Sequence, residues 1–148
     1  MLEQQFKTLA QQSIFGRIST WAREMFGELV FVSPDAPVIS LQIGSAYLSA
    51  LVVPWGENEA IINVRSYVVS DVTLTPDLMH YLLQSNANFA IGAFGIGSEN
   101  SIVFEHTIVG STCDKEELRT SFHAVITIAD EEDDFIVSRW GGNRAIDR

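Results

Sequence analysis

Apolar residues recur at helical spacing over residues 3 to about 27. Phe6, Leu9, Ile14, Ile18, Trp21 and Met25 mark a stripe that one face of an α-helix would bury. Gly16 weakens the middle of that helix and permits a kink or two shorter helices, and Gly27 is placed to stop it. The character then changes. Val30-Phe31-Val32 is a short apolar stretch cut by the turn signal Ser33-Pro34-Asp35. Val38–Ile43, Ala46–Trp55 and residues 60–69 are rich in Val, Ile, Leu and Tyr and bounded by Gly, Pro, Asn or Asp, so each predicts a strand. The connectors between them are Gly44-Ser45 and Gly56-Glu57-Asn58-Glu59. A parallel pair needs a long crossover, so connectors this short predict a three-stranded antiparallel meander.

Thr75-Pro76-Asp77 opens a second helix: Thr75 suits the N-cap, Pro76 the first turn, and Asp77 complements the positive helix end. Leu78, Tyr81 and Leu82 give its apolar stripe, which fades at Ser85-Asn86. Residues 89–96 and 101–109 read as two more strands around Gly97-Ser98-Glu99-Asn100, an antiparallel hairpin. A third, long helix starts near Cys113-Asp114 and runs to about Trp140, with Leu118, Phe122, Val125, Ala129 and Ile136 along one side and Gly141-Gly142 at its end. The order is helix, three strands, helix, two strands, helix: an α+β fold with an antiparallel sheet. No repeat or linker divides the chain, so residues 1–148 are expected to form one domain, with 141–148 a mobile tail.

The longest hairpin carries the first hint of function. If Glu57-Asn58 is a two-residue turn, Trp55 faces Ala60, Val53 faces Ile62 and Leu51 faces Val64. One face then holds Tyr47, Ser49, Leu51, Val53, Trp55, Ile62, Val64 and Val68, the natural core face. The other holds Leu48, Val52, Ile61, Asn63, Arg65, Tyr67 and Val69. A solvent face would alternate in polar residues; this one is half apolar with two polar groups set inside it. The protein's own helices, a second subunit or a bound peptide could each cover it. A one-residue slip of register would exchange the two faces. The second helix poses the same question: Leu78, Tyr81 and Leu82 can pack on the sheet, leaving Met79, His80 and Leu83 for another subunit unless the helix is simply well buried.

Composition narrows the partners. A chain of 148 residues, 47% apolar, can bury a full core without staples. The net charge of −10 repels phosphate backbones and anionic lipid, so neither nucleic acid nor a membrane surface is an expected partner. It also favours solubility if an apolar patch stays exposed. Cys113 is the lone cysteine, so no internal disulfide forms and a reducing cytoplasm fits. The start, Met1-Leu2-Glu3-Gln4-Gln5-Phe6-Lys7, lacks a basic region followed by an apolar one and does not read as a signal peptide. No apolar run reaches the ~18 residues of a membrane span.

The order of elements, together with Leu74-Thr75-Pro76-Asp77-Leu78, Leu82-Leu83, Asn86, the 89–96 strand with Gly92 and Gly95, the 103–108 strand, and the helix from Glu116-Glu117-Leu118 to Ala129-Asp130, resembles the class I type III secretion chaperones of the CesT type and, more closely, the YbjN-domain family. The motif match spans about half the chain. The resemblance implies a secretion-chaperone-like fold, a homodimer to which the second helix contributes, and an extended client polypeptide bound on apolar patches. On that reading Leu48, Val52, Ile61, Arg65, Tyr67 and Val69 are the expected peptide contacts, Arg65 as a polar anchor, and Met79, His80 and Leu83 the expected dimer contacts.

Catalytic constellations are weak by comparison. Gly92-Ala93-Phe94-Gly95-Ile96-Gly97 invites a phosphate-loop reading, but a strand and not a helix follows it. His80, His106 and His123 sit on different elements without metal-ligand spacing. Cys113 has no evident base beside it. Asp130-Glu131-Glu132-Asp133-Asp134 lacks the glycine and spacing of a calcium loop and reads as a solvated segment or a break in the helix; a basic partner or a weakly held divalent cation are the functional alternatives. No cofactor, metal or enzymatic activity is expected. A regulatory module binding a folded partner or a small molecule is the second reading, and an enzyme on an unfamiliar scaffold the last.

Overall fold

A computed structural model describes residues 6–147. Its elements are α1 (Leu9–Phe26), β1 (Phe31–Val32), β2 (Val38–Ile43), β3 (Ala46–Trp55), β4 (Glu59–Ser70), α2 (Pro76–Asn86), β5 (Ala93–Ile96), β6 (Ile102–Val109), α3 (Lys115–Trp140) and β7 (Asn143–Arg144). The sheet runs β1-β2-β3-β4-β6-β5, with β7 added to the end of β4, and every pairing is antiparallel. The expected α+β order holds, supplemented by two short strands.

Each helix begins where its capping chemistry sits. Thr8 Oγ1 accepts from Gln11 N (3.0 Å), Thr75 Oγ1 from Leu78 N (3.1 Å) and Asp114 Oδ1 from Glu117 N (2.7 Å). The helix expected from residue 3 begins instead at Leu9, where extended Thr8 caps it; residues 3–5 lie outside the described residues. Gly16 does not divide α1, which is continuous to Phe26 and closes at Gly27 with φ +57°. The acidic run does not break α3 either.

The core lies on one face of the sheet. Leu48, Ala50, Val52, Ile62 and Val64 on the two central strands are buried beside Ile14 and Ile18 of α1 and Leu118, Phe122 and Val125 of α3. Phe26 and Phe122 stack at 5.8 Å where the two helices meet. Gln11, itself buried, donates to Val52 O (2.9 Å), a carbonyl at the sheet's core side that would otherwise lack an acceptor's partner. A Cβ on Gly110 would lie 2.6 Å from Ile14 Cδ1, so the absence of a side chain there lets α1 approach the strand end.

Two expectations are corrected. The β3–β4 loop has three residues, Gly56-Glu57-Asn58, not two, and pairs Trp55 with Glu59 and Val52 with Ile62. That one-residue shift inverts the faces of β3 while leaving those of β4 in place. The segment expected to be a tail makes contacts at its start: Asn143–Arg144 pairs with Val69 and Ser70, a Cβ on Gly142 would lie 2.8 Å from Ser70 O, and Arg144 reaches Asp134 (3.1 Å).

Candidate functional site

The opposite face of the sheet is not covered by the helices. Register places its side chains in rows across the strands. Val53, Ile61 and Val109 form one row; Val38, Leu51, Asn63 and Thr107 the next. Ser40, Ser49, Arg65 and Glu105 form a third, and beyond it lie Gln42 and Tyr47 on one side and Tyr67 and Val103 on the other. Leu51 is 38% exposed, Tyr47 45% and Val109 50%, and Phe31 and Trp55 are more exposed still. Contiguous exposed apolar surface of this kind is uncommon on a self-sufficient monomer.

Two depressions shape the face. One, of about 430 Å³, is lined by Leu51, Val53, Ile61, Arg65 and Tyr67 with Val38 and Asn63 at its side. The other, of about 350 Å³, is lined by Leu29, Phe31, Gln42 and Tyr47. Ser49 and Tyr67 line both. Polar groups in the face are tied across strands: Arg65 Nη2 lies 2.8 Å from Glu105 Oε2, and Asn63 Nδ2 donates to Thr107 Oγ1 (3.1 Å).

Of the six expected peptide contacts, Ile61, Arg65 and Tyr67 lie together on this open face. Leu48, Val52 and Val69 do not. Leu48 and Val52 point into the core because of the register shift, and Val69 turns inward at a bulge between Tyr67 and Val69, after which Val68, Val69 and Ser70 are all buried. In their place the face offers Tyr47, Leu51, Val53 and Trp55, which had been assigned to the core. The signal that could have separated the two sets is faint. The buried β3 set includes Ala46 and Ala50, small residues where helices pack closely, while the open set holds the bulkier Tyr47 and Trp55.

A second apolar surface joins α2 to β5. Met79 (39% exposed) and Leu83 (72%) flank a groove of about 320 Å³ that also includes Leu82, Phe94 and Ile96. His80 is exposed on the same helix. Tyr81 anchors α2 to α3: its hydroxyl donates to Glu132, its ring packs on Phe135 and Trp140 at 5.2 Å each, and burial pushes its pKa up to about 12. Trp140 Nε1 donates to Asp77 Oδ2 (3.1 Å). The outer edge of β5 is occupied at its centre. Phe94 N donates to Asn86 Oδ1 (2.7 Å) and Asn86 Nδ2 donates to Phe94 O (3.2 Å), so a side chain imitates a neighbouring strand.

The groups examined for catalysis are dispersed. Cys113 is buried, and burial pushes its thiol up to about 11, away from a reactive thiolate. His106 Nδ1 lies 2.9 Å from Oγ of Ser121, a buried residue of α3, and burial lowers the histidine's pKa. The glycine-rich segment includes β5, and just before it Gly92 sits at φ +84°, where an added Cβ would lie 2.6 Å from Phe104 Cε2. Among the described residues, no three His, Cys, Asp or Glu side chains gather as a metal site. The acidic run is used structurally: Asp130 and Asp133 hold Ser45, Glu132 holds Tyr81 and Asp134 meets Arg144. No helix among the described residues is long and apolar enough to cross a membrane.

The fold is α+β: an antiparallel sheet backed by helices on one face, with exposed apolar side chains on the other. Residues 17–148 match the profile of the family described as T3SS (YopN, CesT) and YbjN peptide-binding chaperone 1, and the chain belongs to that family. A chain in the HopA1–SchA chaperone–effector complex is similar in fold, with a TM-score of 0.61 at 7% identity over 83% of this chain and 96% of that one. YbjN from E. coli gives a TM-score of 0.56 at 12% identity, covering 82% of this chain and 92% of that one. No curated protein matches in sequence.

Proposed function

We propose that this protein is a non-catalytic chaperone-type module of the cytoplasm that captures an extended client polypeptide on the open face of its sheet and acts as a homodimer. One observation carries the reading: Leu51, Val53, Ile61 and Tyr67 line a depression on a sheet face that the protein's own helices leave bare. Membership of a peptide-binding chaperone family supports it. Docking on the face is favoured over strand addition at β5, because an added strand would have to displace Asn86 from both polar groups of Phe94. The α2–β5 groove, with Met79 and Leu83 exposed beside it, is the surface assigned to the second subunit, with His80 at its margin.

The two surfaces are tested separately. An array of short apolar and basic peptides is probed with the wild type, Leu51→Asp and Ile61→Asp. Binding is expected to fall at least about tenfold in both variants, since each puts a charge where an apolar side chain docks, with melting temperatures close to wild type. Undiminished binding in both would place the peptide elsewhere. Light scattering on Met79→Asp with Leu83→Asp is expected to show the mass of one chain against two for the wild type. A wild type of single-chain mass at high concentration would end the dimer assignment.

A further inference from the structure

The open face is not uniformly apolar, and its banding has a consequence for what it selects. We propose that it reads an extended segment through two apolar side chains four residues apart, with a small polar residue midway and basic residues on the flanks. The proposal rests on the peptide-capture reading above.

The two depressions are apolar at their far ends and share Ser49 and Tyr67 between them. The row that crosses the middle is polar at its centre, with Ser40, Ser49, Arg65 and Glu105 between Phe31 at one end and Ala93 at the other. On β3, Leu51 in the first depression and Tyr47 in the second are separated by four residues, with Ser49 midway. At roughly 3.3 Å per residue the anchors are about 13 Å apart, and an extended ligand has the same rise. Its side chains alternate, so positions i, i+2 and i+4 face the sheet together, and an odd spacing sends the second anchor to solvent. A helical ligand with the same spacing spans only about 6 Å and cannot reach both depressions.

The middle position is selected by desolvation. Arg65 and Glu105, each partly exposed and 2.8 Å apart, would lose water beneath an apolar side chain and gain no replacement hydrogen bond. A serine or threonine there can supply one. The flanks are selected by charge. Asp35 lies in the β1–β2 connection and Glu57 in the β3–β4 loop, toward the Leu51 end, and Glu28 precedes Leu29 at the other. The chain as a whole carries −10, and the face's own cation, Arg65, is already paired with Glu105. Cationic flanks are therefore attracted and anionic ones repelled.

The test is fluorescence anisotropy of the full chain with fluorescein-labelled peptides built as Lys-Lys-Leu-Thr-Ser-Thr-Leu-Lys-Lys. Moving the second leucine one residue in either direction is expected to weaken binding about 10- to 100-fold, the loss of one docked apolar side chain. Leucine in place of the central serine is expected to cost about tenfold, glutamates in place of the lysines more at low salt than at high, and proline after the first leucine little, because the ligand is extended. Equal binding at every spacing, still abolished by Leu51→Asp, would overturn the spacing rule and leave the docking face standing. Binding by no peptide, or equal binding by a folded Leu51→Asp variant, would overturn both. A wild-type dimer that Leu51→Asp splits into single chains would show that a second copy covers this face, which also overturns the proposal.

Discussion

Replacing Asp133 by Asn tests the electrostatics that clamp the β2–β3 turn to α3. Ser45 Oγ lies 2.5 Å from Asp130 Oδ1 and 2.6 Å from Asp133 Oδ2. A hydroxyl has one proton and can donate to only one of them. Asp130 also accepts from Ser45 N (3.1 Å), and these two bonds hold its carboxyl below the usual range. Asp133 is 2% exposed, and its burial raises its pKa. The two carboxylates therefore compete for one hydroxyl proton, and Asp130, which also accepts from the Ser45 N–H, is the better placed to take it. The neighbouring charges are Asp134, whose N–H donates to Asp133 Oδ1 (2.6 Å), and Arg144 of β7, which pairs with Asp134 (3.1 Å). Because the folded-state pKa of Asp133 is raised above 3.8, its contribution is complete below that value and is lost as pH rises through the folded pKa. Asp130 works in the opposite direction, its contribution lost as pH falls through its depressed folded pKa. Asparagine donates to Ser45 at any pH and still accepts from the Asp134 N–H. Asp133→Asn is therefore expected to stabilise the fold by about 1 kcal/mol at about pH 8, one hydrogen bond no longer dependent on a proton, or roughly 2–4 °C in melting temperature. The gain should shrink as pH is lowered from about 8 through the raised folded-state pKa of Asp133. Melts of both proteins by circular dichroism across that range decide it. A variant less stable than wild type by the same amount at both ends would refute the reasoning, because it would mean that Asp133 serves the fold as a carboxylate.

Four other substitutions probe the two faces and the sheet edge. Leu48→Ala is expected to cost about 2–5 kcal/mol and lower the melting temperature on the order of 10 °C, whereas Leu51→Ala, three residues away on the open face, should change stability by less than about 0.5 kcal/mol; equal effects would contradict the register. Asn86→Ala removes both bonds to Phe94 and should cost about 1–3 kcal/mol, while gel filtration reveals concentration-dependent association as the β5 edge is freed. Gly92→Ala is expected to cost about 1–3 kcal/mol, since it forces a side chain into φ +84° against Phe104, and denaturant titration measures it.

Much of this protein was legible along the chain because its signals are local. A cap, a stripe and a stop lie within one helix, and a short connector admits only an antiparallel neighbour. The three helices, the meander and the second hairpin accordingly follow from neighbouring residues, though its first strand, expected from residue 89, begins only at Ala93. The open face did not, because its composition on β3 turns on one residue of loop length. Gly56 at φ +71° begins a three-residue loop, and the shift exchanges Leu48 and Val52 for Tyr47, Leu51 and Val53. Both sets are apolar, so no local pattern chooses between them; packing beneath α1 and α3 does. The same holds for Val69, turned inward by a bulge, for residues 143–144, which pair with a strand some seventy-four residues upstream (Asn143 with Ser70 is 73, Arg144 with Val69 is 75), and for the acidic run, whose partners Ser45 and Tyr81 only the folded chain brings near. Side-chain periodicity determines which elements form; which of two greasy faces meets water is a cooperative property of the whole sheet, decided where strands and helices close on one another.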